Sequence, residues 1–167
     1  CHRDAIRNQE LILTYLIPLS LLNGIPPSST LLTTFPRLGE VYTPFVNALR
    51  QGDVKAYDNA LEWAEVRLAE SGVTMCMEKS REGCLRGLVR KIWLALSKPT
   101  RLPVASALKA FHLSGLTSYT MEEAECILAI LIYKGYMKGY ISHEKQIVVL
   151  AKVDPFPKLG TKGVGQG

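Results

Sequence analysis

The sequence predicts a mainly α-helical fold, in which stacked helical hairpins (the end of an α-solenoid) precede a C-terminal winged helix with a small β hairpin. Apolar residues recur at helical spacing through most of residues 3–97, which indicates amphipathic helices. Short turns separate these stretches, so successive helices should pack as antiparallel hairpins. After Gly135 the apolar period shortens to two, the pattern of a β hairpin.

The first three predicted helices are bounded by proline and polar residues. Residues 3–17 carry a wide apolar face, and Pro18 should disrupt the hydrogen-bond ladder there because it has no N–H. Ser28 can cap a short helix, and residues 40–51 form the next one. Pro44 should kink the early part of that helix.

Two longer helices complete this helical part. Gly52 is suited to end one helix and Asp53 to cap the next, since its carboxylate accepts hydrogen bonds from free backbone N–H groups. The clearest apolar stripe follows, formed by Val54, Tyr57, Leu61, Ala64 and Leu68. A helix over about residues 73–97 should turn inward Met77, Leu85, Leu88, Ile92 and Leu96.

A helix-turn-helix follows residue 99. Pro103 can open its first helix. Thr120 and Glu123 form a capping box for the second helix, because each side chain can bind the other residue's exposed N–H. With a β hairpin behind it, this arrangement has the order of a winged helix.

The hairpin is predicted from two short β-type runs, residues 137–142 and 147–152, joined by a turn at 143–146. Residues 160–167 have no core-forming side chains, so we expect an extended end that is mobile or held by a partner. The chain therefore divides into a helical part (1–97), a winged-helix part (98–153) and a C-terminal tail (154–167).

Composition excludes several protein classes. The chain has no apolar run long enough to span a membrane. It starts with Cys1 instead of Met, so we expect it to be part of a longer parent protein. Its four cysteines include no close pair, as in intracellular proteins with reduced thiols. The histidines lie apart and no catalytic motif occurs, so we expect no enzyme activity, cofactor, metal or small-molecule substrate.

Positive charge is concentrated in two segments of a chain whose net charge is +5. Residues 134–167 carry six lysines and two acids, and residues 79–109 carry eight basic residues and one acid. Such asymmetry favours a face turned towards polyanions, although a solvated lysine-rich surface remains the alternative. The candidates for binding nucleic-acid phosphates are Lys98, Arg101, Lys134, Lys138, Lys145 and Lys152.

Other exposed charges and rings are candidates for protein contact. The second helix of the winged helix begins with Glu122, Glu123 and Glu125, which would repel a duplex backbone. We therefore expect this helix to contact protein and any RNA to lie on the wing. Trp63 and Trp93 are expected to pack. The partner-binding candidates are Lys79, Arg86, Arg90, Tyr136 and Tyr140.

Several motifs, in order, resemble one subfamily of PCI-domain proteins. They are Ala5–Asn8, Leu11–Pro18, Glu125–Ala129, Leu131–Gly135, Lys138–His143 and Pro155–Pro157. The subfamily holds the PCI subunit of the transcription-export complex and a sister described as a twelfth subunit of the COP-nine signalosome. Residues 100–103 and 148–152 look most like fungal members.

The resemblance implies a non-catalytic scaffold in a nuclear complex that couples transcription or splicing to messenger-RNA export. It implies pairing through winged helices with a second, larger PCI subunit, and binding of a small acidic protein shared with the proteasome lid. RNA would be bound weakly and without sequence preference. Nuclear or nuclear-pore-associated localisation, and also cytoplasmic localisation, would follow. The alternatives are a purely architectural lid-like subunit and a stand-alone winged-helix DNA-binding factor.

Overall fold

A computed structural model describes residues 2–159, with side chains from residue 5 onward, and confirms the predicted mainly helical fold. The expected extended end at 160–167 lies outside these residues. The helices are α1 (His2–Leu22), α2 (Ser29–Thr34), α3 (Pro36–Gln51), α4 (Val54–Glu70), α5 (Thr74–Ala95), α6 (Val104–Leu113) and α7 (Met121–Tyr133). The strands are β1 (Arg101–Pro103), β2 (Gly139–Ser142) and β3 (Ile147–Leu150).

The disruption predicted at Pro18 is limited to one hydrogen bond of the ladder, and α1 continues to Leu22. A proline four residues later deprives the Thr14 carbonyl of its usual N–H donor. The Tyr42 hydroxyl of α3 instead donates to that carbonyl at 3.1 Å. A contact from another helix thus replaces the missing bond.

The capping predictions at Asp53 and Thr120 are confirmed. The Asp53 side chain accepts a hydrogen bond from the Ala56 N–H at 2.9 Å. The Thr120 hydroxyl accepts from the Glu123 N–H, while the Glu123 carboxylate accepts from the Thr120 N–H. The third helix starts earlier than expected, at Pro36, whose missing N–H costs nothing at the first helical position.

The helical core lies between α1, α3, α4 and α5. The rings of Phe45 and Tyr57 meet edge to face at 5.1 Å, and the Tyr57 hydroxyl donates to the Met77 carbonyl at 2.7 Å. Burial raises the pKa of Tyr57. The expected inward position of Leu96 is wrong, because α5 ends at Ala95 and Leu96 is exposed.

The sheet has three antiparallel strands in the order β1-β3-β2. Its hairpin turns at residues 143–146, as predicted, but the sequence did not reveal β1. Leu102 and Ile141 both pair with Val148, and Leu102 and Val148 are fully buried on the face turned to the helices. Helices α6 and α7 with this sheet form the winged helix.

Residues 155–159, here called the strap, run back from the sheet onto the helical part. Pro155 and Phe156 are buried, and the Phe156 ring lies 5.3 Å from the Trp93 ring. At the far end Leu159 covers Gly24, where an added Cβ would come within 2.0 Å of the Leu159 Cβ. The strap therefore fastens the winged helix to α1 and α5. Within residues 2–159 no helix has the length and apolarity needed to span a membrane.

Candidate functional site

The face of the sheet turned away from the helices carries cationic and aromatic side chains. Arg101 and Tyr140 both pair with Val149 of the central strand, so the three form one row across the sheet. Directly paired residues share a face, as do residues two apart along a strand. Lys138, whose carbonyl accepts from the Ala151 N–H, extends this face beside Tyr140. We call Arg101, Lys138, Tyr140 and Val149 the outer sheet face.

The predicted phosphate-binding residues do not form one cluster. Lys98 and Lys152 are exposed near Lys138, at the end of the sheet away from the hairpin turn, since the Leu150 N–H donates to the Thr100 carbonyl there. Lys145 lies at the opposite end, in the turn. Lys134 is on another side, where its ammonium contacts both Glu82 carboxylate oxygens at 2.6 Å. The backbone pairing thus places Lys98, Arg101, Lys138 and Lys152 at the same end of the sheet.

Helix α7 turns an apolar stripe outward. Positions three, four and seven apart share a helix face, and Cys126, Ile130 and Tyr133 are all exposed at these spacings. The Tyr133 side chain is 90% exposed, so it does not pack on the wing. The opposite face, with Ala124, Leu128 and Leu131, is buried. The stripe was missed in the sequence because α7 is apolar on most of its circumference, so the pattern alone does not separate the exposed Ile130 from the buried Leu131.

One carboxylate of α7 fastens the hairpin turn. The Glu125 carboxylate accepts a hydrogen bond from the His143 Nδ1–H at 2.8 Å and another from the Gln146 amide at 3.1 Å. The hydrogen bond from His143 lowers the pKa of the Glu125 carboxyl. A polar contact from His143 thus connects the hairpin turn to α7. The remaining acids at the start of α7, Glu122 and Glu123, are exposed.

The predicted partner-binding residues have unequal surroundings. Arg86 donates to three carbonyls, those of Tyr136 at 3.0 Å, Phe156 at 3.1 Å and Pro157 at 2.6 Å. Burial lowers the pKa of this guanidinium, and the carbonyls compensate for its desolvation. A role for Arg86 in binding an external partner therefore does not fit the structure.

The strap divides the predicted basic stripe of α5. Lys79 and Arg90 share the helix face of Arg86 and are exposed on either side of it. Tyr136 is half-buried, with its carbonyl bound by Arg86, whereas Tyr140 is exposed on the outer sheet face. Lys79, Arg90 and Tyr140 thus remain accessible.

Of the two tryptophans that were predicted to pack, only Trp93 does so. Trp93 packs on Phe156 as expected, and its indole N–H donates to the Pro99 carbonyl at 3.0 Å. Trp63 does not pack in the core: it is 54% exposed, and the Arg67 guanidinium lies 5.0 Å from its ring. Among residues 2–159 no group of three or more His, Cys, Asp or Glu side chains could hold a metal ion.

The sequence is similar to a known domain family and to several curated proteins. The profile of the PCI domain matches residues 47–152. The chain is 44% identical over 180 residues to a protein named CSN12 homolog from Mycosarcoma maydis, covering 98% of this chain and 39% of that protein. It is 42% identical over 159 residues to the CSN12 homolog of Schizosaccharomyces pombe, covering 95% and 37%.

An animal protein is also similar. The PCI domain-containing protein 2 homolog of Drosophila melanogaster is 36% identical over 152 residues, covering 91% of this chain and 38% of that protein. The chain thus spans about two fifths of the length of the curated relatives it matches.

Proposed function

The chain belongs to the PCI-domain family, and we propose that it is the pairing end of a non-catalytic scaffold subunit in a nuclear complex that couples transcription or splicing to messenger-RNA export. The observation that carries the proposal is the outer surface of α7. This helix contains no lysine or arginine, carries Glu122 in its first turn, and exposes an apolar stripe. Such a surface suits a protein partner.

The partner that fits the stripe is the winged helix of a second, larger PCI subunit. Aromatic and aliphatic side chains that become buried at the centre of an interface provide most of its affinity. Tyr133 and Ile130 have the required exposure and spacing. A stand-alone DNA-binding factor fits less well, because a helix entering the major groove has to tolerate phosphates that Glu122 and Glu123 would repel.

The second part of the proposal is that exposed lysines at one end of the sheet bind RNA. The exposed cations at one end of the sheet, Lys98, Lys138 and Lys152, supply positive charge without base selectivity. Too few contacts are present for tight binding by this chain alone, so RNA would be held by both paired winged helices. A purely architectural lid-like subunit would keep the α7 interface and lack RNA affinity.

Substitutions on α7 test the pairing. In the full-length parent, Ile130→Glu or Tyr133→Ala is expected to weaken binding of the second PCI subunit about 30-fold or more, as for a residue at the centre of an interface. The measurement is co-purification of that subunit, followed by titration calorimetry. Leu96→Glu is the matched control, because Leu96 is 45% exposed and Ile130 is 44% exposed. Unchanged affinity of both α7 variants would refute this interface.

Charge reversal on α5 tests the proposed small acidic partner. Lys79→Glu combined with Arg90→Glu should weaken its association about three- to tenfold at low salt, because exposed charges at an interface rim accelerate encounter. The difference should shrink at high salt, where charges are screened. Binding kinetics at two salt concentrations measure it, and Lys55→Glu on α4 is the control. A salt-independent affinity would show that the acidic protein does not bind here.

A further inference from the structure

The outer sheet face joins residues that are far apart in the sequence. The shared pairing with Val149 places Arg101 and Tyr140 two strands apart, which separates their Cα atoms by about 10 Å. Both side chains project from the same face and are long enough to contact one extended ligand. Lys138 lies two residues before Tyr140 on that face.

The ring of Tyr140 is free to receive a ligand. It is 64% exposed, and within residues 5–159 it takes part in none of the ring contacts or side-chain hydrogen bonds found. Its neighbour across the pair, Val149, is small and half-buried, so most of the Tyr140 side chain stays exposed. A tyrosine in this position offers a flat apolar surface.

The charged side chains on the strands around the Tyr140 ring are all positive. The three strands and the residues that extend them, 98–103, 137–142 and 147–152, contain four cations and no acid. The acid that approaches from α7, Glu125, is held by His143 and Gln146 at the hairpin end. A single strand of nucleic acid matches such a surface. Its phosphates pair with the cations, and each unpaired base has a face that can stack on an aromatic side chain.

We propose that the outer sheet face is a base-stacking subsite for single-stranded RNA. One unpaired base lies on the Tyr140 ring, and Arg101 and Lys138 bind neighbouring phosphates. This inference rests on the proposed RNA binding and adds the ligand class and the residues. Duplex RNA does not fit, because its bases are stacked within the helix and unavailable to the ring.

The test uses the full-length parent bound to its second PCI subunit, with fluorescence anisotropy of a labelled oligouridylate. Tyr140→Leu keeps an apolar side chain without an aromatic face, and we expect it to weaken binding about tenfold, as for one stacked base. Tyr140→Phe should bind like the parent. Tyr15→Leu, at an exposed tyrosine of α1, should have no effect.

A strand of abasic ribose phosphates of equal length separates stacking from charge. Tyr140→Leu should leave its affinity unchanged, whereas Arg101→Glu with Lys138→Glu should weaken both ligands. If Tyr140→Leu has no effect on oligouridylate but the charge variant does, the stacking subsite is refuted and RNA binding by the sheet stands. If neither variant matters, this sheet does not bind RNA at all. Loss of the second PCI subunit from Tyr140→Leu would instead make the face a protein interface and overturn the proposal.

Discussion

Replacing Phe156 by alanine is expected to lower the free energy of unfolding by about 3–5 kcal/mol, the usual cost of removing a buried phenylalanine. Phe156 is 6% exposed, and its ring contacts Trp93 of α5 while its carbonyl accepts from Arg86. The cavity would open between the winged helix and the helical part. The strap would then lose its ring contact with Trp93, and its hydrogen bonds with Arg86 would be weakened.

Thermal unfolding followed by circular dichroism measures this effect. For a chain of this size each 1 kcal/mol changes the Tm by about 2–4 °C, so the Tm should fall by roughly 6–20 °C. Leu113→Ala is the control, because Leu113 is 90% exposed and removing it opens no cavity. A fall in Tm no greater than that of the control would mean that the strap does not stabilise the fold.

The features predicted correctly from the sequence depend on neighbouring residues. Asp53 and the Thr120–Glu123 pair cap their helices through bonds within three residues, so their spacing alone is informative. The hairpin turn at 143–146 is local for the same reason. The fold class could be predicted because most boundaries of its elements are of this kind.

The features that the sequence did not reveal depend on distant partners. The Thr14 carbonyl, which lacks a donor because of Pro18, accepts instead from the hydroxyl of Tyr42, 28 positions later in the chain. Strand β1 is three residues long and becomes recognisable only by its pairing with β3. For the candidate site the same holds: the sequence identified Arg101 and Tyr140 singly, and only the strand register places them on one face.

Arg86 shows how a plausible surface residue can have an internal role. Its spacing from Lys79 and Arg90 on α5 indicates a basic stripe, but the carbonyls of Phe156 and Pro157 lie 70 and 71 positions later in the chain. A helical pattern predicts which residues share a face, and not whether a later segment covers that face. The strap covers it around Arg86, where Leu159 lies near Gly83 and Phe156 contacts Trp93.

Arg86→Ala is therefore expected to lower the free energy of unfolding by about 2–4 kcal/mol, because it leaves three carbonyls near the strap without their charged donor. Arg86→Lys should recover only part of this loss, since an ammonium cannot match the fork of a guanidinium. Arg90→Ala, at an exposed position four residues later, should change the stability by less than about 0.5 kcal/mol. Urea unfolding of the three variants measures the differences.

A double-mutant cycle shows whether Arg86 acts through the strap. Residues in contact show non-additive effects on stability, and the Arg86 guanidinium carbon lies 6.0 Å from the Phe156 ring centre. Arg86→Ala should consequently cost much less in the background of Phe156→Ala, where the strap is already loosened. Additive losses would show that Arg86 stabilises the fold mainly through the Tyr136 carbonyl. Equal losses from Arg86→Ala and Arg90→Ala would contradict the internal role and return Arg86 to the candidates for partner binding.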